Sequence, residues 1–267
     1  MAIAKHELAN RASRRPSAGE VRKMKGMPFP TKPEITLRAV VARDVPTLVA
    51  LNRAAYPDLA EQEVVFTDAQ LRAHTTVFPR GQILAEIDCV VVGAMATLIL
   101  PRSLDPLGAH SWAHATGDGF FTTHDPAGDS LYLADIYVDG AAWGRGVGTA
   151  LYGALRALCQ SLGLARIVAG GRLWGYHALA HALTPDQYVA EVIAGTRVDR
   201  VLCSQLKAGF QVRGILPSYL PDPKSCDFAS LLEWVNTERA ESELPRPAVV
   251  APPAALGDLR RPLRPTA

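Results

Sequence analysis

Leu131-Tyr132-Leu133-Ala134-Asp135-Ile136-Tyr137-Val138, then Gly144-Arg145-Gly146-Val147-Gly148-Thr149, then the run from Leu151 to Leu162, set the reading of this chain. The first run has the pattern of a strand. The last is a helix that lines up Leu151, Leu155, Leu158 and Leu162 in one apolar stripe. A glycine-rich turn between strand and helix lets backbone N–H groups approach phosphate oxygens. The helix behind it points its positive end at them. The stretch therefore predicts a cradle for a pyrophosphate-bearing ligand.

Two familiar cradles do not match. A P-loop needs Gly-Lys followed by Ser or Thr, and no such lysine is present. A dinucleotide fingerprint needs its third glycine three places after the second; Thr149 stands there, and glycine comes one residue early at Gly148. The spacing Gly-Arg-Gly-Val-Gly resembles instead the pyrophosphate loop of the GNAT family of N-acetyltransferases, which bind acetyl-CoA. Laid over Trp143 to Gly148, that pattern has Trp143 where Gln or Arg is usual. One side-chain contact is lost and the backbone cradle is kept. A plain tight turn is the bland alternative.

The 267 residues can bury a sizeable core as one domain, or as one domain with tails. A net charge of +2 is too small to argue for nucleic acid by itself. No run approaches the length of a membrane span, and the N-terminus lacks the apolar core of a signal peptide. Cys89, Cys159, Cys203 and Cys226 lie far apart in apolar runs, as reduced thiols of a cytoplasmic protein do. Residues 1–33 concentrate Lys and Arg and lack periodicity, which predicts a flexible basic extension. From Glu238 onward Pro, Ala and charges dominate, which predicts an extended tail over 238–267. The folded domain is expected over 34–237.

Within it strands and helices interleave. Ile35–Val40 predicts a strand, and Asp44 with Pro46 a capped helix to about Ala55. Thr67 and Gln70 form a capping box. Ile83–Ile87 and Cys89–Leu100 predict a hairpin turning near Asp88. The long segment 103–130 follows, then the strand, loop and helix described above. Arg166–Ala169 predicts a strand, Thr184–Gln187 a second capping box, Val198–Ala208 a helix, and Phe210–Leu216 and Phe228–Trp234 the last strands. This is a mixed α/β (α+β) order with seven strands.

From Gly117 to Asn236 the chain resembles one branch of the GNAT family, the acetyltransferase domain often fused ahead of a nitrilase-like carbon–nitrogen hydrolase. The matching segments are 122–126 (Thr-Thr-His-Asp-Pro), 166–172 (Arg-Ile-Val-Ala-Gly-Gly-Arg), Gly175-Tyr176-His177, Thr184-Pro185, Gln205 to Arg213, and Gly214 to Leu220. The resemblance implies a GNAT-like mixed central sheet of about seven strands flanked by helices. The hydrolase's Glu-Lys-Cys set would need several hundred further residues, so activity is expected from the acetyltransferase-like part alone.

The resemblance implies acetyl-CoA, or coenzyme A, held by Gly144, Arg145, Gly146, Val147, Gly148 and Thr149. Its pantetheine arm would lie along Ile136, Tyr137 and Val138, with a backbone N–H near Val138 polarising the thioester. Loss of such a donor costs about 3–4 kcal/mol in other enzymes. An acceptor amine with a pKa of about 10.4 must shed a proton near neutral pH. Candidates for that chemistry are Asp135, placed by strand alternation on one face with Leu133 and Tyr137, then His124 and Tyr176. Asp125, Arg172 and His177 are assigned to the substrate. Each also has a structural alternative, as a hydrogen-bond acceptor, an Asp-Pro turn or a surface histidine. The family's frequent tyrosine acid falls at Gln205, which has no titratable proton; a thiol of pKa about 8.5 leaves with modest help. His110/His114 and His177/His181 have ligand-like spacing without the glutamate of the HExxH pattern, so no metal is expected.

The sequence thus favours an acetyl-CoA-dependent N-acyltransferase acting on a primary amine of a small molecule or protein. The other reading is a non-catalytic CoA-binding or partner-binding module associated with a carbon–nitrogen hydrolase. Expected partners are the amine substrate, a nitrilase-like protein and a second copy of the chain. No membrane is expected, and nucleic acid only if the basic extension binds it.

Overall fold

The computed structural model describes residues 34–239. The extension expected over 1–33, and all but the first two residues of the tail expected from 238, lie outside them. Strands β1 (Ile35–Ala39), β2 (Gln82–Ile87), β3 (Val90–Leu100) and β4 (Ser130–Val138) pair antiparallel in succession. Strands β5 (Arg166–Arg172), β6 (Gln211–Leu216) and β7 (Ala229–Val235) form a second antiparallel group with β7 in the middle. The full order is β1-β2-β3-β4-β5-β7-β6, a seven-stranded mixed sheet as expected.

The two groups meet through a parallel contact of β4 with β5, from Ser130↔Arg166 to Leu133↔Ala169. There the contact stops. β4 runs on to Val138 beside β3, and β5 runs on to Arg172 beside β7. A parallel pair needs a long crossover, here helix α5 (Val147–Ser161). It begins four residues before the leucine stripe, because Gly146 at φ 94° ends the turn and the helix starts directly behind it.

Helices cover both faces. On one lie α1 (Val45–Ala55), continued by the short α2 (Pro57–Glu61), then α3 (Asp68–Val77) and α4 (Trp112–Thr116). On the other lie α5, α6 (Pro185–Ile193) and α7 (Arg200–Lys207). Leu48, Leu84, Leu98, Tyr132 and Val168 fill the first core; Met95, Leu131, Leu151, Leu155 and Ile167 fill the second. Both capping boxes form as read: Thr67 with Gln70 opens α3 and Thr184 with Gln187 opens α6. Asp44 precedes α1 without capping it by its side chain. Its carboxylate instead takes Arg38 Nη1 at 2.6 Å and the Val41 N–H at 2.9 Å.

One expectation fails. Between Ala96 and Thr97 the register on β4 jumps from Asp135 to Leu133, leaving Ala134 as a bulge. The extra residue breaks the two-residue alternation. Leu133 therefore faces the α5 core, while Asp135, opposite Ala96, shares the α1 face with Tyr137.

Tyr219, on the loop after β6, packs across the point where β4 and β5 part. Its hydroxyl lies 2.6 Å from the Tyr132 hydroxyl of β4, and its ring covers Gly170 of β5. A Cβ at position 170 would stand 2.1 Å from the ring. Gly170→Ala must displace Tyr219 and should cost about 1–3 kcal/mol, read as a lowered midpoint in urea unfolding; an unchanged midpoint would refute the packing.

Candidate active site at the parted strands

The loop behind β4 turns backbone donors toward open space. Gly144 and Gly146 hold φ of 75° and 94°, which L side chains rarely adopt. A Cβ at Gly144 or Gly148 would meet nothing within 4 Å, so the space above the loop is open. The α5 N-terminus has no side-chain cap and no acidic residue in its first turn. The amides of Val147, Gly148 and Thr149 thus point outward without an intrahelical acceptor, at the positive end of a 15-residue helix.

The parted strand presents a second set of backbone groups. The Asp139 N–H bonds Val92 O at 2.8 Å. Val138, one residue earlier, therefore turns its N–H and C=O to the opposite edge, where β5 has departed. Three carbonyls near this edge are taken up by side chains. Trp112 Nε1 donates to Ala134 O at 3.0 Å, the Tyr56 hydroxyl to Ile136 O at 2.8 Å, and Trp143 Nε1 to Val138 O at 3.0 Å. The Val138 N–H shares that edge.

Asp135 sits at the centre, half-buried. Asn52 Nδ2 donates to Oδ2 at 2.7 Å and the Tyr56 hydroxyl reaches Oδ1 at 2.9 Å. Asn52 is fully buried on α1, and its Oδ1 accepts the Phe66 N–H at 3.1 Å. With its oxygen so engaged, the amide can offer Asp135 only its donor face. Burial pushes the Asp135 carboxyl up to about 6, against the bonds from Tyr56 and Asn52 that lower it. The single Tyr56 proton has two acceptors, Asp135 and Ile136 O. When Asp135 is protonated, its own hydroxyl can donate to Tyr56, which keeps its bond to Ile136.

The other sequence candidates are dispersed. Tyr176 is buried against Tyr188 and Phe228, and its hydroxyl donates to Leu183 O at 2.9 Å. His124 stacks on Phe78, and its Nδ1 accepts the Ile99 N–H at 3.0 Å. Asp125 closes a turn by accepting the Ala127 N–H, and its own N–H bonds Ile99 O. Ile99 lies three residues along β3 from Ala96, the partner of Asp135, or about 10 Å. His177 is exposed with Nδ1 3.1 Å from Lys224 O. Among the described residues, no three His, Cys, Asp or Glu side chains gather into a metal site.

Arg172 does reach the site, at the end of β5, but its Nε and Nη2 donors are engaged. Nη2 meets Asp58 Oδ2 at 2.6 Å and Asp222 Oδ1 at 2.7 Å; Nε meets Asp222 Oδ2 at 2.7 Å. Its guanidinium carbon lies 5.6 Å from the centre of the Tyr56 ring. Burial pushes the Asp222 carboxyl up, and Arg172 with the Ser225 hydroxyl more than offsets this, leaving it below its ordinary value. Gln205 is buried beneath Gly171. Beside it lies the Tyr152 hydroxyl of α5, pushed by burial up to about 12. Asn52, Tyr56 and Tyr152 were not found in the sequence. The available signal was Asn52, a polar residue on the buried Val45-Leu48-Asn52 stripe of α1.

Beyond Trp112 the α1 face opens into a cleft of about 220 Å³ lined by Glu63, Val65, Gln70, Trp112, Asp118 and Tyr219.

Comparison with known proteins agrees with this architecture. Residues 46–181 match the Acetyltransferase (GNAT) family. The "Uncharacterized N-acetyltransferase YkwB" of Bacillus subtilis is 33% identical over 76% of this chain and 89% of its own length. The "Probable hydrolase YhcX" of the same organism is 30% identical over 77% of this chain, a match that takes in 39% of that protein. Among solved structures, the GphF GNAT-like decarboxylase in complex with isobutyryl-CoA superposes with a TM-score of 0.63 at 22% identity, covering 75% of this chain and 98% of that one. The loading GNATL domain of CurA from Lyngbya majuscula gives 0.61 at 18%, covering 76% and 98%. These two share the fold.

Two outcomes follow from the geometry. Carbon-13 NMR should show Asp135 titrating near 6, and Tyr56→Phe, which removes a lowering bond, should move it higher; a midpoint at the ordinary value of about 4 would refute the assignment. Arg172→Met strands the buried Asp222 and should cost about 3–5 kcal/mol in urea unfolding. A loss of only about 1 kcal/mol would mark it as an ordinary surface pair.

Proposed function

The chain belongs to the acetyltransferase (GNAT) family, and from that premise we propose that it transfers an acyl group from an acyl-CoA thioester, acetyl-CoA foremost, to a primary amine. The observation that carries this reading is the alignment of two unfilled backbone sites. The amide cradle at the α5 N-terminus follows closely in the chain on the open edge of β4, the strand that carries Asp135. The cradle fits a pyrophosphate: open glycines, outward N–H groups and no competing acid. The thioester, once bound, supplies the acyl group and a thiol able to leave near neutral pH.

The chain's own residues do the rest. Gly144 and Gly146, with the amides of Val147 to Thr149, hold the phosphates. The free Val138 N–H offers a hydrogen bond to the acyl oxygen. Asp135 takes the proton from the amine. A carboxylate near 6 is ionised at neutral pH yet a better proton acceptor than an ordinary aspartate. Asn52 and Tyr56 are positioning residues that fix its rotamer. The cleft lined by Trp112 and Tyr219 lies on the same face as Asp135, suited to the acceptor. Gln205, which cannot donate a titratable proton, is the one feature that favours the second reading, a CoA-binding module without turnover.

Isothermal titration should show acetyl-CoA binding that Gly146→Glu abolishes. Thiol release with a panel of amines should rise with pH through about 6 and then level, because the base must be ionised. Asp135→Asn should lower kcat by about 10²–10⁴-fold. No binding, or binding unaffected at Gly146, would refute the reading. Binding without thiol release from any amine would select the second one.

A further inference from the structure

We propose that Arg200 is a phosphate ligand supplied from α7, held between two indole rings at the rim of the glycine loop so that it closes on the donor's pyrophosphate. This rests on the acyl-CoA reading above and adds a residue to it. Position 143, just before the first glycine of the loop, is a tryptophan and carries no charge. A cation nevertheless stands on its ring. The Arg200 guanidinium carbon lies 4.9 Å from the centre of Trp143 and 3.8 Å from that of Trp174.

The placement is enforced from below. Asp199, 2% exposed, opens α7. Its Oδ1 accepts the N–H groups of Val201 and Leu202 at 2.9 and 3.0 Å. Its Oδ2 accepts the Tyr188 hydroxyl at 2.8 Å and the Gly175 N–H at 3.3 Å. One buried carboxylate thus pins the residue before Arg200 to the residue after Trp174. The other ring is pinned too, since Trp143 Nε1 donates to Val138 O. The Trp143 ring is thus tied to β4, and the backbone before Arg200 to the backbone after Trp174.

What the clamp lacks is a counter-charge. Arg38, Arg72, Arg166, Arg172, Arg197 and Arg213 pair with carboxylates, whereas Arg200, like Arg145 of the loop itself, pairs with none among the described residues. Among the described residues no carboxylate lies within ion-pair distance of Arg200. Stacking engages the face of a guanidinium and leaves its in-plane N–H donors free. Nor does the stack serve mainly to bury apolar surface, for Trp143 remains 55% exposed. An orientated, unneutralised guanidinium beside outward-pointing amides matches a dianionic group seated at Gly144, and Arg binds phosphate oxygens in the plane of its fork.

The test is titration of coenzyme A and of dephospho-CoA, which lacks the 3′-phosphate, into wild type, Arg200→Ala and Arg200→Lys at two salt concentrations, followed by calorimetry and tryptophan fluorescence. Arg200→Ala should weaken both ligands equally, by about tenfold or more, and flatten the salt dependence. Arg200→Lys, which keeps the charge without the flat stack, should recover part of the loss. Ligand should change the indole emission of wild type more than that of Arg200→Ala. Equal affinity in wild type and Arg200→Ala would overturn the clamp and leave the acyl-CoA reading standing. Loss confined to coenzyme A would overturn the assignment to the pyrophosphate. Failure of wild type to bind either ligand would sink the acyl-CoA reading itself, and the clamp with it.

Discussion

A strand that loses its neighbour must find other partners for its backbone, and this is the constraint on which the site depends. β4 and β5 share only the pairs from Ser130↔Arg166 to Leu133↔Ala169. Beyond them, buried C=O and N–H groups would be orphaned at a cost comparable to lost hydrogen bonds. The molecule answers with side chains from three segments: Trp112 of α4, Tyr56 after α1 and Trp143 of the loop. They satisfy the carbonyls, which a ligand seeking donors has no use for. The Val138 N–H points to the same edge, where we propose that it meets the thioester. The bulge at Ala134 belongs to the same solution, since it rotates Asp135 onto the face where Asn52 and Tyr56 await it.

Two carboxylates near one arginine show how environment divides labour. Asp222 bonds Arg172 twice and also takes the Ser225 hydroxyl and the Lys224 N–H. Its pKa is depressed, so its contribution to stability is present at neutral pH and lost as pH falls. Asp135 has neutral donors alone, and burial wins. Its pKa is raised, so it favours the folded state below about 4 and loses that effect as pH rises through 6. Arg172 and Asp222 therefore stabilise the frame at neutral pH, where an ionised Asp135 costs some stability.

What the sequence made legible was local. Thr67 with Gln70 and Thr184 with Gln187 specify helix starts within one turn of chain, and both form. The hairpin at Asp88 was readable for the same reason; Asp88 and Cys89 both take positive φ, as a tight primed turn requires. The glycine loop was readable because its backbone demands are written in its residues. The bulge was not, because a register shift is a property of two strands. Asn52 and Tyr56 were missed because their meaning depends on a carboxylate more than seventy residues away in the chain. Arg172 was assigned to the substrate from the sequence, but its ion pairs were not legible, because Asp58 and Asp222 lie on opposite sides of it in the chain. Asp44 illustrates the converse: a good local cap was outbid by Arg38 of the neighbouring strand.

The brevity of the β4–β5 contact has a consequence for how the chain assembles. Residues 35–138 and 166–235 each close their own antiparallel ladders, and within the sheet the short parallel seam is what joins them. Antiparallel hairpins such as β2–β3 form from near neighbours, whereas a parallel seam waits for its crossover to order. The seam between the two half-sheets is therefore a non-local contact of the sheet, closed across the α5 crossover. The groove that separates them is the part of the seam that never zips.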